Sequence, residues 1–147
     1  MIASGIPKAR GKVKTKPRQS IEFDHQCALF EWARNPVVQA QLPGIDLMSC
    51  SLNGVHMSVA QRSKAKASGM LVGEWDVRLP VARGGFVGLA IEMKAGKNRL
   101  TEEQVKYGAR MQQECWQCAV CYSWDDARLI ITAYLRAHDA RSNTAPI

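Results

Sequence analysis

The chain has 147 residues, 46% apolar, 22% charged and 7% aromatic, which suits one domain with one core and excludes general disorder. Its formal charge is +7, from twenty Lys and Arg against thirteen Asp and Glu, and no stretch of about 18 uncharged apolar residues exists to cross a membrane. The opening Met1-Ile2-Ala3-Ser4-Gly5-Ile6 has neither a basic segment nor a long apolar run, so no secretory signal is expected and the expected location is cytoplasmic.

Six basic residues open the chain with no acid among them: Lys8, Arg10, Lys12, Lys14, Lys16 and Arg18. The remainder is nearly neutral, so the excess charge belongs to the tail. Mixed with Gly, Pro, Thr and Val, this stretch offers nothing to bury and reads as a disordered basic arm over 1–19. Either the arm contacts a polyanion, nucleic acid being the commonest, or it is a solubilising terminus. Residues 20–138 read as the folded domain and 139–147 as a flexible C-terminal tail.

After the arm, Ser20 can cap a helix running to about Arg34. Phe23, Cys27 and Phe30 recur at helical spacing and predict its buried stripe, while Glu22 and Gln26 share another face. Asn35-Pro36 ends it. Residues 44–52 hold a candidate strand, closed by a turn at Asn53-Gly54. Residues 58–68 read as a short basic helix stopped by Gly69. Its Arg62, Lys64 and Lys66 add to a phosphate-facing surface.

Asp76-Val77-Arg78-Leu79-Pro80-Val81 alternates, and so does the run from Phe86 to Lys94, with Arg83-Gly84-Gly85 as a turn between them. A hairpin centred on Gly84 opposes Val77 with Ile91, Leu79 with Leu89, and Val81 with Val87. With Met93, these odd positions predict one apolar face. The even face carries Asp76 opposite Glu92, with Lys94 one pleat further on; Gly88 and Ala90 keep it thin. Thr101-Glu102-Glu103-Gln104 is a capping box, predicting a helix to about Glu114. A strand at 117–122 follows. Asp125 or Ser123 then starts a last helix that buries Ala127, Ile130, Ile131 and Tyr134. The order α β α β β α β α is a mixed α/β layer.

Five cysteines and no secretion signal point to reduced thiols. Cys115, Cys118 and Cys121 resemble part of an iron–sulfur or zinc pattern, but in a strand Cys118 and Cys121 point to opposite faces, and a fourth ligand would have to come from Cys27 or Cys50. His25, His56 and His138 are too widely separated for a metal or triad spacing. No P-loop, G-x-S-x-G or G-x-G-x-x-G occurs, so no small-molecule organic cofactor is expected.

Two carboxylates opposed across a sheet lie about 5 Å apart at Cβ and repel. A cation between them removes that cost, and oxygen donors without His or thiolate suit Mg²⁺ or Mn²⁺. A lysine beyond the glutamate can hold an anionic scissile group or orient an attacking water. Together these groups equip a chain for phosphodiester hydrolysis. The bland alternative is a solvated strand face on which Lys94 neutralises Glu92.

Asp76 followed by Glu92-Met93-Lys94 looks like the D…E-x-K core of the restriction-endonuclease-like, PD-(D/E)xK nucleases, and within them the chain resembles the VRR-NUC family over about residues 20–137. The matching pieces are Glu22-x-x-x-Gln26 with Ala28-Leu29-Phe30-x-Trp32-Ala33, Asn53-Gly54, Gly73-x-x-Asp76 with Leu79-Pro80, Gly88-Leu89-x-Ile91-Glu92-Met93-Lys94, Leu100-Thr101-x-x-Gln104, and Tyr122-x-Trp124-Asp125-x-Ala127. The resemblance implies a restriction-endonuclease-like α/β core. It makes Asp76 and Glu92 the metal ligands, with the Met93 carbonyl between Glu and Lys, Lys94 the catalytic lysine and Glu22 a further acid facing the metal. Gln104 matches the family glutamine, and Gln26 is either a site residue or a solvated helix position.

The resemblance further implies a standalone, phage-type endonuclease acting in a bacterial host cytoplasm. Its substrate would be branched DNA such as four-way (Holliday) junctions, and it would work as a homodimer. The alternative is a nucleic-acid-binding module that keeps the fold without cutting. One departure stands out. Where the family usually has proline before the aspartate, this chain has Trp75, which either packs in the core or stacks on an exposed base, and Glu74 adds a competing carboxylate.

Overall fold

The computed structural model describes residues 18–138. Lys8, Arg10, Lys12, Lys14 and Lys16 of the arm, and residues 139–147, lie outside them. The sheet order is β1-β2-β3-β4, where β1 is Ser49–Cys50, β2 Val77–Leu79, β3 Gly88–Met93 and β4 Trp116–Cys121. The first three strands are antiparallel neighbours, and β4 lies parallel to β3 after a crossover through helix α4, Glu102–Gln113. Helix α1 spans Arg18–Arg34, α2 Pro36–Gln41, α3 Val59–Ala67 and α5 Trp124–Arg136.

Strand β3 is central, with a partner on each edge, and all six of its residues are buried. Its odd positions, Leu89, Ile91 and Met93, join Val77 and Leu79 of β2 against Leu29 and Ala33 of α1 and Ala127, Ile131 and Tyr134 of α5. The even face takes α4, where Gly108 lies against Trp75 and its carbonyl meets the Cys118 thiol. Helices therefore cover both faces of one mixed sheet.

Several expectations are met by the capping chemistry. Thr101 and Gln104 form the expected capping box on α4, and a second box, Ser58 with Gln61, opens α3. Ser123 caps α5 by accepting from the Asp126 N–H. Gly69 ends the α3 segment at φ +106°.

Other expectations are corrected. Helix α1 is already running at Arg18, so Ser20 lies inside it rather than at its cap. Its buried residues are Leu29 and Ala33, which face α5 and β3; Phe23 and Cys27 are exposed and Phe30 is only partly covered. Pro36 does end α1, but it also opens α2, with Asn35 as N-cap, because proline suits the first helical turn. The strand expected over 44–52 shrinks to two residues, because Gly44 turns left-handed at φ +97° and starts a 3-10 turn at Ile45–Leu47.

The hairpin register holds for Val77↔Ile91 and Leu79↔Leu89, but Val81 does not pair with Val87. Pro80 has no N–H for the ladder, and the Val81 N–H turns back onto the Leu79 carbonyl at 2.9 Å. The extra residue this puts on the β2 side shifts the tip to an Arg83↔Phe86 bridge around Gly84-Gly85, both at positive φ. Val81 remains buried, whereas Val87 is 49% exposed and leaves the apolar face.

Candidate active site

Continuing the two registers by one residue places Ser51, Asp76 and Glu92 in one row across β1, β2 and β3, on the face toward α4. The Ser51 N–H donates to the Asp76 carbonyl at 2.8 Å. Strand β2 begins at Val77, so Asp76 stands at the sheet margin, where a cleft of about 220 Å³ opens. Glu22, Gln26, Asn53, Asp76, Glu92, Lys94 and Gln104 line it.

Glu92 is 2% exposed. Its Oε1 receives Lys94 Nζ at 2.8 Å and a hydrogen bond from Gln104 Nε2. Its Oε2 is buried with no hydrogen-bond partner among the described residues, a state it shares with Ser51 Oγ. Burial, then the neighbouring Asp76 carboxylate, push the Glu92 carboxyl up to about 7, against the pull of Lys94. Asp76 Oδ2 accepts from the Met93 N–H at 2.8 Å. Burial raises the Asp76 pKa as well, and Glu22 adds to the rise, while the Met93 N–H and Lys94 oppose it. Two carboxyls that both resist ionisation, one with a bare buried oxygen, are short of positive charge.

Lys94 is 7% exposed, and its ammonium also donates to Gln104 Oε1 at 2.9 Å. Gln104 therefore does two jobs. The oxygen that completes the α4 capping box, accepting from the Thr101 N–H at 2.9 Å, also holds Lys94, while its amide nitrogen holds Glu92. Glu22 reaches the cleft from α1, and its Oε1 accepts from the Ala95 N–H at 3.0 Å and Asn98 Nδ2 at 2.9 Å. Among the described residues no group of three or more His, Cys, Asp or Glu side chains comes together as a metal-ligand cluster. The carboxylates that face the cleft free of the neighbouring loop are those of Asp76 and Glu92, whereas Glu22 is tied back to the loop after β3.

Trp75 is 4% exposed and its indole N–H donates to the Gln104 carbonyl at 2.8 Å. Of the two readings of this residue, core packing holds and base stacking does not. Glu74 does not compete for the cleft, because it pairs with Arg78 at 2.6 Å. Arg62, Lys64 and Lys66 are exposed along α3 and do not line the cleft. The cysteines divide: Cys115 is exposed, Cys118 faces α4, and Cys121 is buried, its thiol pushed up to about 11 by burial and then by Asp126. Sequence spacing does not single out Asn53 or Asn98 as site residues. Asn53 Nδ2 donates to the Leu71 and Glu74 carbonyls at 2.9 and 3.1 Å, which ties the turn at the cleft to the approach into β2. In the sequence, Asn53-Gly54 reads as a turn and as one of the pieces of the family resemblance, with no role given to the Asn53 side chain, and nothing marks Asn98.

No family model and no curated protein matches the chain. Among solved structures it is similar to one described as a VRR_NUC domain protein, with a TM-score of 0.63 and 24% sequence identity, covering 80% of this chain and 90% of that one. The chain thus has a VRR-NUC-type, restriction-endonuclease-like fold. No helix among the described residues is long and apolar enough to cross a membrane.

Proposed function

We propose that the chain is a divalent-metal-dependent DNA endonuclease that hydrolyses phosphodiester bonds. One observation carries the reading: Glu92 holds a lysine and a glutamine on one oxygen, leaves the other buried and bare, and shares its cleft with Asp76. That donor set fits Mg²⁺ or Mn²⁺, which take carboxylate oxygens and keep other positions for water and phosphate. When bound, such an ion polarises the phosphate and makes a water more acidic. Asp76, Glu92 and the Met93 carbonyl would hold it, with Glu22 as an outer acid.

Lys94 is held between Glu92 and Gln104, so its charge stays aimed at the cleft without solvent competition. There it binds a phosphate oxygen or orients the attacking water. Gln104 fixes the positions of both Lys94 and Glu92. In the reaction a water oxygen bonds to phosphorus, the bond from phosphorus to the leaving sugar oxygen breaks, and that oxygen gains a proton.

Branched DNA, including four-way junctions, is the proposed substrate. A two-fold homodimer would present equivalent sites to it. Arg62, Lys64, Lys66 and the amino-terminal cations would grip phosphate backbones rather than read bases. The proposed setting is a phage-type enzyme in a host cytoplasm.

The test is cleavage of linear, flap and four-way DNA with Mg²⁺, with Mn²⁺ and with chelator, for wild type, Asp76→Ala and Lys94→Ala. Cleavage should need the metal, favour branched DNA and fall at least about 10²-fold in either variant, with DNA affinity broadly kept. Undiminished cleavage by Asp76→Ala would remove the metal-site assignment. Salt-sensitive binding with no turnover in any metal would make the chain a binding module instead.

A further inference from the structure

An apolar groove of about 490 Å³ adjoins the cleft along the outer side of α1. Phe23 and Gln26 line both spaces, so the groove continues the cleft rather than standing apart from it. Beyond Phe23 the groove is walled by Cys27, Phe30, Cys50 and Val55 and reaches Arg34. Phe23 is 55% exposed, and the Arg34 guanidinium lies over the Phe30 ring, 5.6 Å from its centroid. The helix that sends Glu22 into the cleft thus places an open aromatic face at its rim.

We infer that this groove is a base-binding subsite, taking one unpaired nucleobase of the strand whose phosphate occupies the cleft. The inference rests on the nuclease reading for that phosphate. Aromatic rings and guanidinium planes are the surfaces on which unpaired bases stack. At the groove wall, the Gln26 amide offers a donor and an acceptor to a base edge, and Asn35, whose Oδ1 caps α2, offers its Nδ2. A base stacked in intact duplex cannot enter a groove on the protein, so the strand must be unpaired or turned out at that nucleotide. A branch point interrupts base stacking and so lowers the cost of turning out a nucleotide relative to intact duplex, which gives the proposed preference for branched DNA a physical origin. A second copy of this chain is the rival occupant.

The full chain, in chelator, is titrated by fluorescence anisotropy with a single-stranded DNA oligonucleotide and with one of equal length in which every base is replaced by an abasic residue. Wild type should bind the base-bearing strand about tenfold more tightly. Phe23→Ala should erase most of that difference, and Phe23→Trp should keep it. Equal affinity of wild type for the two strands, binding of neither, or an unchanged difference in Phe23→Ala would overturn the subsite. A homodimer that falls apart in Phe23→Ala by sedimentation would overturn it in favour of the second copy. The nuclease reading fails separately: base-dependent binding with no metal-dependent cutting leaves the subsite standing, whereas metal-dependent cutting without base-dependent binding removes only the subsite.

Discussion

Glu92 sits on a strand with a neighbour on each side and a helix above it, so water cannot solvate its carboxylate. In the metal-free folded protein it keeps its proton up to about pH 7, whereas the unfolded chain gives it up near the ordinary 4.5. Between those values the folded state binds more protons than the unfolded one, so stability falls as pH rises through that window. The raised Asp76 acts in the same direction. Denaturation in chelator should therefore give a higher midpoint at pH 5 than at pH 8, and Glu92→Gln should flatten the difference. A midpoint that rises toward pH 8 would contradict the assignment. A cation competes with that proton, so Mn²⁺ affinity measured by calorimetry should increase from pH 5 to pH 8.

At the level of elements, the turn into β2 and the start of α4 are one packed unit. Trp75 reaches across to the Gln104 carbonyl and lies so close to Gly108 that a Cβ there would come within 2.5 Å of its ring. Helix propensity alone favours alanine over glycine by about 1 kcal/mol. The clash should outweigh it: Gly108→Ala is expected to destabilise by about 1–3 kcal/mol in chemical denaturation. Pairing it with Trp75→Phe should recover part of that loss. Because Gln104 leads this helix, the pair also sets where Lys94 and Glu92 are held. Trp75 thus anchors the approach to Asp76 by packing and a hydrogen bond.

Over the whole molecule, charge and chemistry are separated. Acids and one buried lysine line the cleft, while Arg62, Lys64 and Lys66 stand exposed on a helix with no buried residue. The sequence carries five further cations over residues 8–16. DNA affinity should therefore depend on salt far more than the cutting step does. Deleting residues 1–17 should weaken binding and reduce the slope of log K against log[salt] by about 0.9 for each phosphate that the arm neutralises. Cleavage at saturating protein should change little. A truncated chain with an unchanged slope would make the arm a solubilising terminus.

Alternation and spacing were enough to place Asp76 opposite Glu92 with Lys94 beyond, because side chains on a strand repeat every two residues and the hairpin register follows from its turn. Capping signals likewise marked the starts of α4 and α5, since a cap is a contact among neighbours in the chain. The sequence could not say which side of α1 is buried: Phe23, Cys27 and Phe30 have the right period, but the packing of α5 and β3 selects Leu29 and Ala33 instead. Nor could it foresee the bulge after Pro80, or the ties from Asn98 to Glu22 and from Asn53 to the approach into β2. Those contacts join residues distant in the chain. Only the folded arrangement decides them, because each is chosen by competition for the same buried space and the same few hydrogen-bonding groups.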